Sequence, residues 1–448
     1  MANVAPRMLI IGLDGASPQL MFDRMRPMLP VWSQLLDTSI WGELESVIPV
    51  TSLPAWPALF SGRDPGELGM YGARQRTDHT YDPGHPVSSR SIQVPLLWDV
   101  LTHNHMTSVI IGPPPNFPPR RVRGISVSCL LTPPHIQRFT WPVEYSERII
   151  AHFPHFAFDL YEDPHRDAKD TLEAAAVFTT QHFELLRMLL EEQHPDCAVL
   201  VDPTLDRLQH AYWDRPEVLH QHLTVLDQEL AKTLELLSSE TVILLISDHG
   251  LRTSNGAFAI NDWLISQGLL CLATKPTTPT PLHQLPVDWH HTIAWAEGGQ
   301  TTRLTLNVTN REPHGIVEPR VYEQVRNDLK RRIESIVGPN GRTMGNRCHK
   351  PEEIFTTTTG IPPDLLCLFN NLGFRSVSSV GHSELFLPPT PGHSTGNHAE
   401  NGIIVLHWPH HGPNGRRQGV RLLDIFPTLL SIFDLDIPPD LIGRPVIA

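Results

Sequence analysis

The stretch Thr241-Val-Ile-Leu-Leu-Ile-Ser-Asp-His-Gly250 guides the interpretation of the whole sequence. Residues 241–246 are β-branched or leucine and carry no charge, which is typical of a strand buried on both faces of a parallel sheet. The run stops at Asp248 and His249, and open α/β sheets bind ligands at the carboxyl ends of their strands. A turn at Gly250 would let both side chains reach one ion. A strand ending in a plain polar turn would look the same, so the metal hypothesis depends on partners elsewhere.

Two other apolar stretches also lead to polar residues. The first, residues 8–13, ends at Asp14, and the second, residues 197–201, precedes Asp206 and His210. Because Asp206 and His210 are four residues apart, a helix places them on one face, where both can coordinate one divalent ion. Each motif alone is equally well explained by a helix-capping aspartate, with a surface histidine in the second case. Strands alternating with helical patterns predict an α/β protein, a three-layer α/β/α sandwich with a mostly parallel central sheet.

Two hydroxyl residues, Thr51 and Ser52, stand just before Pro54 and a helical stretch that ends at Ser61-Gly62. A helix amino terminus has free backbone N–H groups and the positive end of the helix dipole. That setting suits an attacking alkoxide and the anion that it attacks. An ordinary helix cap is the competing interpretation.

The glycine-rich loop 392–402 adds His393 and His398 before the strand 403–407. Carboxylates and imidazoles at strand ends, together with a hydroxyl, make a ligand set for two metal ions: Asp14, Ser52, Asp206, His210, Asp248, His249 and His398. Oxygen and nitrogen ligands without thiolate fit Zn²⁺, with Mn²⁺ as the alternative. Two ions about 4 Å apart lower the pKa of a hydroxyl, neutralise phosphoryl oxygens and stabilise a leaving oxygen.

Composition excludes several classes of function. The 448 residues carry a net charge of −13 and no long basic run, which argues against nucleic-acid or anionic-membrane binding. No segment approaches the ~18 apolar residues of a membrane helix. The N-terminal segment lacks the apolar region of a signal peptide, so we expect a cytoplasmic protein. The odd number of scattered cysteines predicts reduced, mostly buried thiols: Cys129, Cys197, Cys271, Cys348 and Cys367.

The chain is expected to form a single catalytic domain over residues 1–448, with a cap or insert at about 272–352. The segment 275–295, rich in proline, threonine and histidine, is the clearest part of this excursion from the main sheet. The sequence carries no indication of oligomeric state.

From Ile10-Ile-Gly-Leu-Asp-Gly to Asp424-Ile-Phe-Pro-Thr, the chain resembles the type I phosphodiesterase/nucleotide pyrophosphatase family of the alkaline phosphatase superfamily. The resemblance implies an alkaline-phosphatase-like fold. The motifs that carry it are Pro54-Ala-Trp, Ser61-Gly, Asp64-Pro-Gly, Asp206-Arg-Leu-Gln-His, Ser247-Asp-His-Gly, Arg311-Glu-Pro-His-Gly-Ile-Val and Gly396-Asn-His.

The resemblance also implies roles for individual residues. One metal would be held by Asp14, the nucleophile, Asp248 and His249, and the other by Asp206, His210 and His398. The family's nucleophile stands two residues before the proline and ten before the Ser/Thr-Gly glycine, which is Ser52 here, with Thr51 as the runner-up. The implied mechanism has two steps, in which a phospho-enzyme forms and is then hydrolysed.

One departure concerns the substrate. Nucleotide-cleaving members of the family carry an asparagine three residues after the nucleophile, and this chain has Ala55 there. Oxyanion contacts would then come from backbone N–H groups, such as that of Leu53, or from metal alone. The sulfatase branch is set aside because Trp56 stands where it needs arginine.

The leading hypothesis is a two-metal phosphodiesterase or pyrophosphatase acting on a small-molecule phosphoester. The alternatives are a phosphomonoesterase or phosphonate hydrolase on the same site, and a metal-bound protein without catalytic activity.

Overall fold

The computed structural model describes residues 6–160, 167–411 and 414–447. The strands in these ranges are β1 Met8–Leu13, β2 Ile40–Glu45, β3 Arg74–Gln75, β4 His85–Pro86, β5 Ser108–Gly112, β6 Gly124–Cys129, β7 Thr140–Trp141, β8 Cys197–Asp202, β9 Val242–Ile246, β10 Gly250–Thr253, β11 Gly256–Ala259, β12 Thr280–Pro281, β13 Ala294–Glu297, β14 Thr302–Leu306, β15 Arg347–His349, β16 Leu365–Leu368, β17 Phe374–Val377, β18 Ser379–Val380, β19 Phe386–Leu387, β20 Gly396–Ala399, β21 Asn401–His407 and β22 Gly415–Arg421.

The helices in the same ranges are α1 Pro30–Asp37, α2 Ser52–Ser61, α3 Pro65–Leu68, α4 Leu97–His103, α5 Glu144–His152, α6 Ala168–Gln193, α7 Thr204–Tyr212, α8 Pro216–Leu234, α9 Ile260–Ser266, α10 Tyr322–Glu334, α11 Pro351–Ile354 and α12 Ile425–Ile432. Short 3₁₀ turns precede α10 and α12, at Pro319–Val321 and Leu422–Asp424. The helical pattern of residues 319–337 predicts a helix there, and α10 forms over a shorter range. The pattern that predicts α6 begins at about Arg166, which lies outside the described residues, as do residues 1–5.

The central sheet has the strand order β22-β2-β21-β9-β1-β8-β5-β6-β7. The run from β9 to β6 is parallel throughout. Strand β21 pairs antiparallel with both β9 and β2, and β7 pairs antiparallel with β6. The prediction of a mostly parallel central sheet is confirmed.

Alternation along β1 explains the three layers. Leu9 and Ile11 face one apolar layer, which includes the buried sides of α6 and α8. Met8 and Ile10 face the opposite layer, which includes residues of α2, α4 and α12. Because successive side chains of a strand point to opposite faces, a strand without polar residues needs helices on both sides. The α/β/α sandwich predicted from the sequence is the fold observed.

A further apolar cluster lies beyond the central sheet. It runs from Phe258 to Phe386 and is built on the sheets β13-β14-β16-β15 and β17-β11-β19. The cluster extends on both sides of the range 272–352 that the sequence suggested for an insert. The division of the chain into one domain with an insert stays a proposal.

The cysteine prediction was wrong for one pair. Cys348 and Cys367 form a disulfide, whereas Cys129, Cys197 and Cys271 are free. The antiparallel strands β15 and β16 place Cys348 directly opposite Cys367, with Cα atoms 4.1 Å apart. Since the pairing arises only when the strands meet, a separation of 19 residues in sequence gave no sign of it.

No helix within the described ranges is long and apolar enough to cross a membrane.

Candidate metal centre and active site

The parallel strands bring the predicted acidic residues to one edge of the sheet. Asp14 follows β1, Asp248 follows β9, and Asp206 lies on α7 just after β8. Strand β1 pairs in parallel with both β8 and β9, with Leu13 opposite Asp202 and Gly12 opposite Ile246. The three carboxyl ends are therefore level with one another, as expected for a ligand site in an open α/β sheet.

The reversed direction of β21 explains how His398 joins them. Because β21 runs antiparallel to β9, it begins at the edge where the parallel strands end. The residues just before it form β20, which pairs with β10 and places His398 opposite Leu251. His393, the other histidine of the loop, is exposed and does not reach the cluster.

The predicted turn at Gly250 was wrong. Gly250 begins β10 rather than a turn, and the chain leaves the central sheet across residues 247–249. A Cβ atom at Gly250 would lie 2.1 Å from the carbonyl oxygen of Asn401. Glycine is needed here for this close backbone approach and not for an unusual φ angle.

The two candidate nucleophiles have different surroundings. The Ser52 Oγ donates a hydrogen bond to Asp14 Oδ1 at 3.0 Å and lies 3.3 Å from His249 Nε2. Ser52 is the first residue of α2, whereas Thr51 precedes the helix with extended backbone angles. Among the described residues the Thr51 hydroxyl contacts none of the predicted metal ligands through a hydrogen bond. The geometry therefore favours Ser52.

Two of the carboxylates each have one oxygen fixed by a rigid donor. The indole Nε1 of Trp56 donates to Asp14 Oδ2 at 3.0 Å, which leaves Oδ1 facing Ser52. The backbone N–H of Gly15 donates to Asp248 Oδ1 at 3.3 Å. The other oxygen of Asp248, Oδ2, is buried and has no hydrogen-bond partner among the described residues.

The third carboxylate, Asp206, is arranged in the same way. Arg207 Nη1 donates to Asp206 Oδ2 at 2.9 Å, and Asp206 Oδ1 is buried without a hydrogen-bond partner in the described structure. Gly15, whose φ is 68°, packs against the Asp206 side chain, and a Cβ atom at Gly15 would lie 2.8 Å from Asp206 Oδ1. A buried carboxylate oxygen without a donor is costly unless a cation or a further donor completes it.

The three histidines have the same tautomer. Each Nδ1 lies 2.8–3.2 Å from a backbone carbonyl oxygen, which can only accept, so Nδ1 carries the proton in the neutral ring. The pairs are His210 with Gly396, His249 with Gly250 and His398 with Val50. Each Nε2 is then left with a free lone pair. This is how histidine ligands of metals are usually oriented.

One group of donor atoms surrounds Ser52. His249 Nε2 lies 3.3 Å from Asp248 Oδ2 and 3.6 Å from Asp14 Oδ1, beside the 3.0 and 3.3 Å contacts of the Ser52 hydroxyl. Ligands about 2.0 Å from a tetrahedral ion are about 3.3 Å from one another. The contacts among Ser52, Asp14 and His249 match the spacing of ligands around a Zn²⁺-sized ion, and Asp248 adjoins them through its 3.3 Å contact with His249.

The second group lies beside it. Asp206 Oδ1 is 3.4 Å from His210 Nε2 and 3.8 Å from His398 Nε2, and the two Nε2 atoms are 3.0 Å apart. Two unprotonated nitrogens facing each other at that distance repel unless a proton or a cation lies between them. Asp206 also lies close enough to Asp14 and His249 to be counted in the first group. The Asp206 carboxylate therefore lies between the two groups.

Burial and charge shift the pKa values of the cluster. Burial, reinforced by the charge of Asp206, raises the pKa of Asp14 to about 7, and burial with the charges of Asp14 and Asp206 raises the pKa of Asp248. Burial would also raise the pKa of Asp206, but His210, His398 and Arg207 outweigh it and hold that pKa well below its usual range.

The imidazoles are affected in turn. Burial lowers the pKa of His249 to about 4 and lowers the pKa of His398. Burial acts in the same direction on His210, but the adjacent Asp206 carboxylate outweighs it and raises that pKa. The buried acids repel one another, and His249 and His398 are neutral near pH 7. Buried oxygens without a donor and converging imidazole lone pairs together fit two divalent cations, which would take the place of the protons that the raised carboxyl pKa values imply.

Sequence reasoning did not single out the residues behind the ligands. Trp56 and Arg207 stand inside two motifs that the sequence made prominent, Pro54-Ala-Trp and Asp206-Arg-Leu-Gln-His, so their proximity to the site could have been inferred. Asp159, which contacts Arg207, lies in a stretch without any recognisable pattern.

Comparisons with known proteins agree with this architecture. The family model described as type I phosphodiesterase/nucleotide pyrophosphatase matches residues 8–398. No curated protein sequence matches the chain significantly.

Similar solved structures include murine ectonucleotide pyrophosphatase/phosphodiesterase 5, an inactive variant in complex with AMP. Its TM-score is 0.57 at 12% identity, covering 97% of this chain and 96% of that one. Phosphonoacetate hydrolase from Sinorhizobium meliloti 1021, in complex with phosphonoformate, has a TM-score of 0.61 at 16% identity and covers 96% of both chains. At these identities the likeness shows the fold, which is alkaline-phosphatase-like as expected.

Proposed function

Because the chain belongs to the type I phosphodiesterase/nucleotide pyrophosphatase family, we propose that it is a two-metal phosphoric ester hydrolase that works through a phosphoserine intermediate on Ser52. The observation that carries the proposal is the position of the Ser52 Oγ, 3.0 Å from Asp14 Oδ1 and 3.3 Å from His249 Nε2. A hydroxyl held among buried metal-type ligands at a helix amino terminus is suited to become a nucleophile.

In this proposal the ligands divide as the sequence predicted. Asp14, Ser52, Asp248 and His249 hold one ion, and Asp206, His210 and His398 hold the other. When bound, the two ions would lower the pKa of the hydroxyl and neutralise charge on the phosphoryl group. Zn²⁺ is the favoured ion and Mn²⁺ the alternative, because the ligands are oxygen and imidazole nitrogen.

The chain's own residues carry the chemical steps. The Ser52 Oγ attacks phosphorus in line, the bond from phosphorus to the leaving oxygen breaks, and the leaving group departs as an alcohol or a phosphate. The proton of the Ser52 hydroxyl ends on the leaving oxygen or in solvent. Water then attacks the phosphorus of the phosphoserine, the bond from phosphorus to Oγ breaks, Oγ takes up a proton from the water, and phosphate or a phosphate ester is released. The backbone N–H of Leu53 at the start of α2 is the proposed donor to a non-bridging oxygen, since Ala55 offers no polar side chain.

A phosphodiester or pyrophosphate on a small molecule is the leading substrate class, by the family and by the AMP complex of the murine relative. Phosphonate or phosphomonoester hydrolysis is the second candidate. It is favoured by Ala55, which replaces the asparagine of nucleotide-cleaving members, and by the likeness to phosphonoacetate hydrolase.

Turnover of bis- and mono-p-nitrophenyl phosphate, ADP-ribose and phosphonoacetate, each with Zn²⁺ and with Mn²⁺, separates these candidates. Preference for the diester or the pyrophosphate supports the first, and preference for the monoester or the phosphonate supports the second. Absence of turnover on the whole panel by protein that holds both ions would favour a metal-bound protein without catalytic activity.

The nucleophile is tested by substitution. Ser52→Ala should abolish turnover while the protein still binds two equivalents of metal, because six of the seven ligands remain. Thr51→Ala is the matched control and should retain most of the activity. Loss in Thr51→Ala with retention in Ser52→Ala would reverse the assignment. Elemental analysis that finds no stoichiometric Zn or Mn after growth in supplemented medium would contradict the two-metal proposal.

The cytoplasmic location expected from the sequence also stays a proposal. The Cys348–Cys367 disulfide weighs against it, because structural disulfides are rare in reducing compartments. Thiol alkylation in intact cells followed by mass spectrometry of the peptides tests it directly, and full labelling of both cysteines would support a reducing location.

A further inference from the structure

Arg207 connects the metal centre to an acid outside it. Its Nε and Nη2 donate to Asp159 Oδ1 and Oδ2, both at 3.0 Å, and its Nη1 donates to Asp206 Oδ2 at 2.9 Å. Asp159 precedes α6, whereas Arg207 and Asp206 are neighbours on α7. The guanidinium is therefore held by a bidentate carboxylate on one side and holds a second carboxylate on the other.

This arrangement restricts Asp206 to one orientation. The side chain of Asp206 is 3% exposed and that of Asp159 is 16% exposed, so water competes little for these contacts. With Oδ2 bonded to Arg207, the orphan Oδ1 points toward His210 and His398. If the carboxylate rotated, Oδ2 would lose a charge-assisted hydrogen bond, which is about twice as strong as a neutral one.

The bidentate geometry shows why an arginine is used. A guanidinium is planar and presents its N–H groups in a fixed fork, so a carboxylate that binds two of them also sets the direction of the third. A guanidinium keeps its charge at every working pH, and here both carboxylates bind its N–H groups directly. A lysine would supply the charge without the direction.

We propose that Asp159 and Arg207 form a positioning pair that fixes the Asp206 carboxylate for the ion held by Asp206, His210 and His398. The inference rests on the metal centre of the proposed function and goes beyond it, because neither Asp159 nor Arg207 is a ligand. Substitution of a residue that orients a metal ligand without binding the ion typically lowers metal affinity 10–100-fold.

Metal binding tests the proposal without any substrate. Chelator-treated protein is titrated with Zn²⁺ against a competing chromophoric chelator, and the two dissociation constants are fitted. Arg207→Ala, Arg207→Lys and Asp159→Asn should each weaken the second equivalent about 10–100-fold and leave the first within about threefold. Arg148→Ala, which removes a half-exposed arginine paired with Glu192, is the control. Its two dissociation constants should equal those of the wild-type protein.

Rescue separates positioning from general stability. Guanidinium ion added to Arg207→Ala should restore much of the affinity for the second equivalent, whereas it should have no effect on Arg148→Ala. If Arg207→Ala fails to fold by circular dichroism, Arg207→Lys provides the same test. Wild-type affinity for both ions in Arg207→Lys or Asp159→Asn would overturn the proposal.

This result is independent of the proposed chemistry. If the wild-type protein binds two ions but hydrolyses nothing, the proposed function is contradicted. The Zn²⁺ titration of the variants still tests the positioning pair in that case. If the wild-type protein hydrolyses substrate and the variants bind both ions as tightly as the wild type, only the positioning pair is contradicted.

Discussion

Replacing Trp56 by phenylalanine isolates one hydrogen bond at the metal centre. The indole Nε1 donates to Asp14 Oδ2 at 3.0 Å, and the ring is fully buried against Gly12, where a Cβ atom would lie 2.5 Å from it. The substitution removes the five-membered ring of the indole, which costs about 1–2 kcal/mol through lost burial and a small cavity. Loss of a hydrogen bond to a charged, buried acceptor costs about 1.5–3 kcal/mol more.

Trp98→Phe is the matched control. Trp98 is 3% exposed and lies in the same apolar layer, with its ring 5.0 Å from that of Phe60. Its indole makes no hydrogen bond to another described residue, so this substitution removes ring area alone. The difference between the two variants should therefore be about 1.5–3 kcal/mol.

The measurement is urea unfolding of chelator-treated protein at pH 8, followed by circular dichroism. This pH lies above the value of about 7 to which burial and Asp206 raise the pKa of Asp14, so the acceptor is charged. A parallel Zn²⁺ titration should show weaker binding of the ion next to Ser52 in Trp56→Phe only. Equal destabilisation by the two variants, within about 0.5 kcal/mol, would refute the reasoning.

Substitutions test three further features: the glycine beside Asp206, a buried histidine and the disulfide. Gly15→Ala should abolish binding of at least one ion, because the new Cβ would lie 2.8 Å from Asp206 Oδ1. Gly268→Ala has the same φ of 68° with nothing within 4 Å, so it should cost only backbone strain of about 1–2 kcal/mol and leave metal binding unchanged. His222 is buried without a hydrogen-bond partner among the described residues, and burial lowers its pKa from 6.5 to about 4. Because the unfolded chain binds the proton more readily, this group should remove about 2 kcal/mol of stability as the pH falls from 7 to 5. His222→Leu should flatten that part of the pH–stability curve, and an unchanged slope would contradict the shift. Cys348→Ser should lower stability by about 3 kcal/mol through loss of a disulfide that spans 19 residues, whereas Cys271→Ser should have little effect. Equal unfolding midpoints for the two cysteine variants would argue against the disulfide.

The parts of the fold that depend on local pattern were accessible from the sequence. Residues 242–246 and 8–13 are apolar at every position, and that composition is typical of a strand between two helical layers. The resemblance to a known family, carried by short motifs such as Ser247-Asp-His-Gly, is confirmed by the family model over residues 8–398.

The parts that depend on tertiary contact were not accessible. Spacing alone could not choose between His393 and His398, since the choice follows from where β21 begins at the sheet edge. The Cys348–Cys367 disulfide follows from the pairing of two short strands. Asp159 reaches the site through Arg207, although the two residues are 48 positions apart in sequence.

The structure brings donor atoms of Asp14, Asp206, His210, His249 and His398 within 4.8 Å of one another in two groups, and Ser52 and Asp248 adjoin them through contacts of 3.0–3.3 Å. The geometry distinguishes the Ser52 hydroxyl from that of Thr51. Their roles as ligands and nucleophile rest on the experiments described above. Asp14, Asp206 and Asp248 could be placed because their motifs follow strand ends, whereas Asp14 and Asp248 are oriented by Trp56 and Gly15, which are distant in sequence.

The central position of β1 has a consequence for how the protein is synthesised. Its neighbours in the sheet, β8 and β9, end at Asp202 and Ile246. At about 5–20 residues per second, a ribosome needs about 10–50 seconds after β1 to supply both of them. During that interval the nascent chain displays Met8–Leu13, an apolar segment without a pairing partner. Early binding by a chaperone would therefore protect the one strand on which the whole sheet is later assembled.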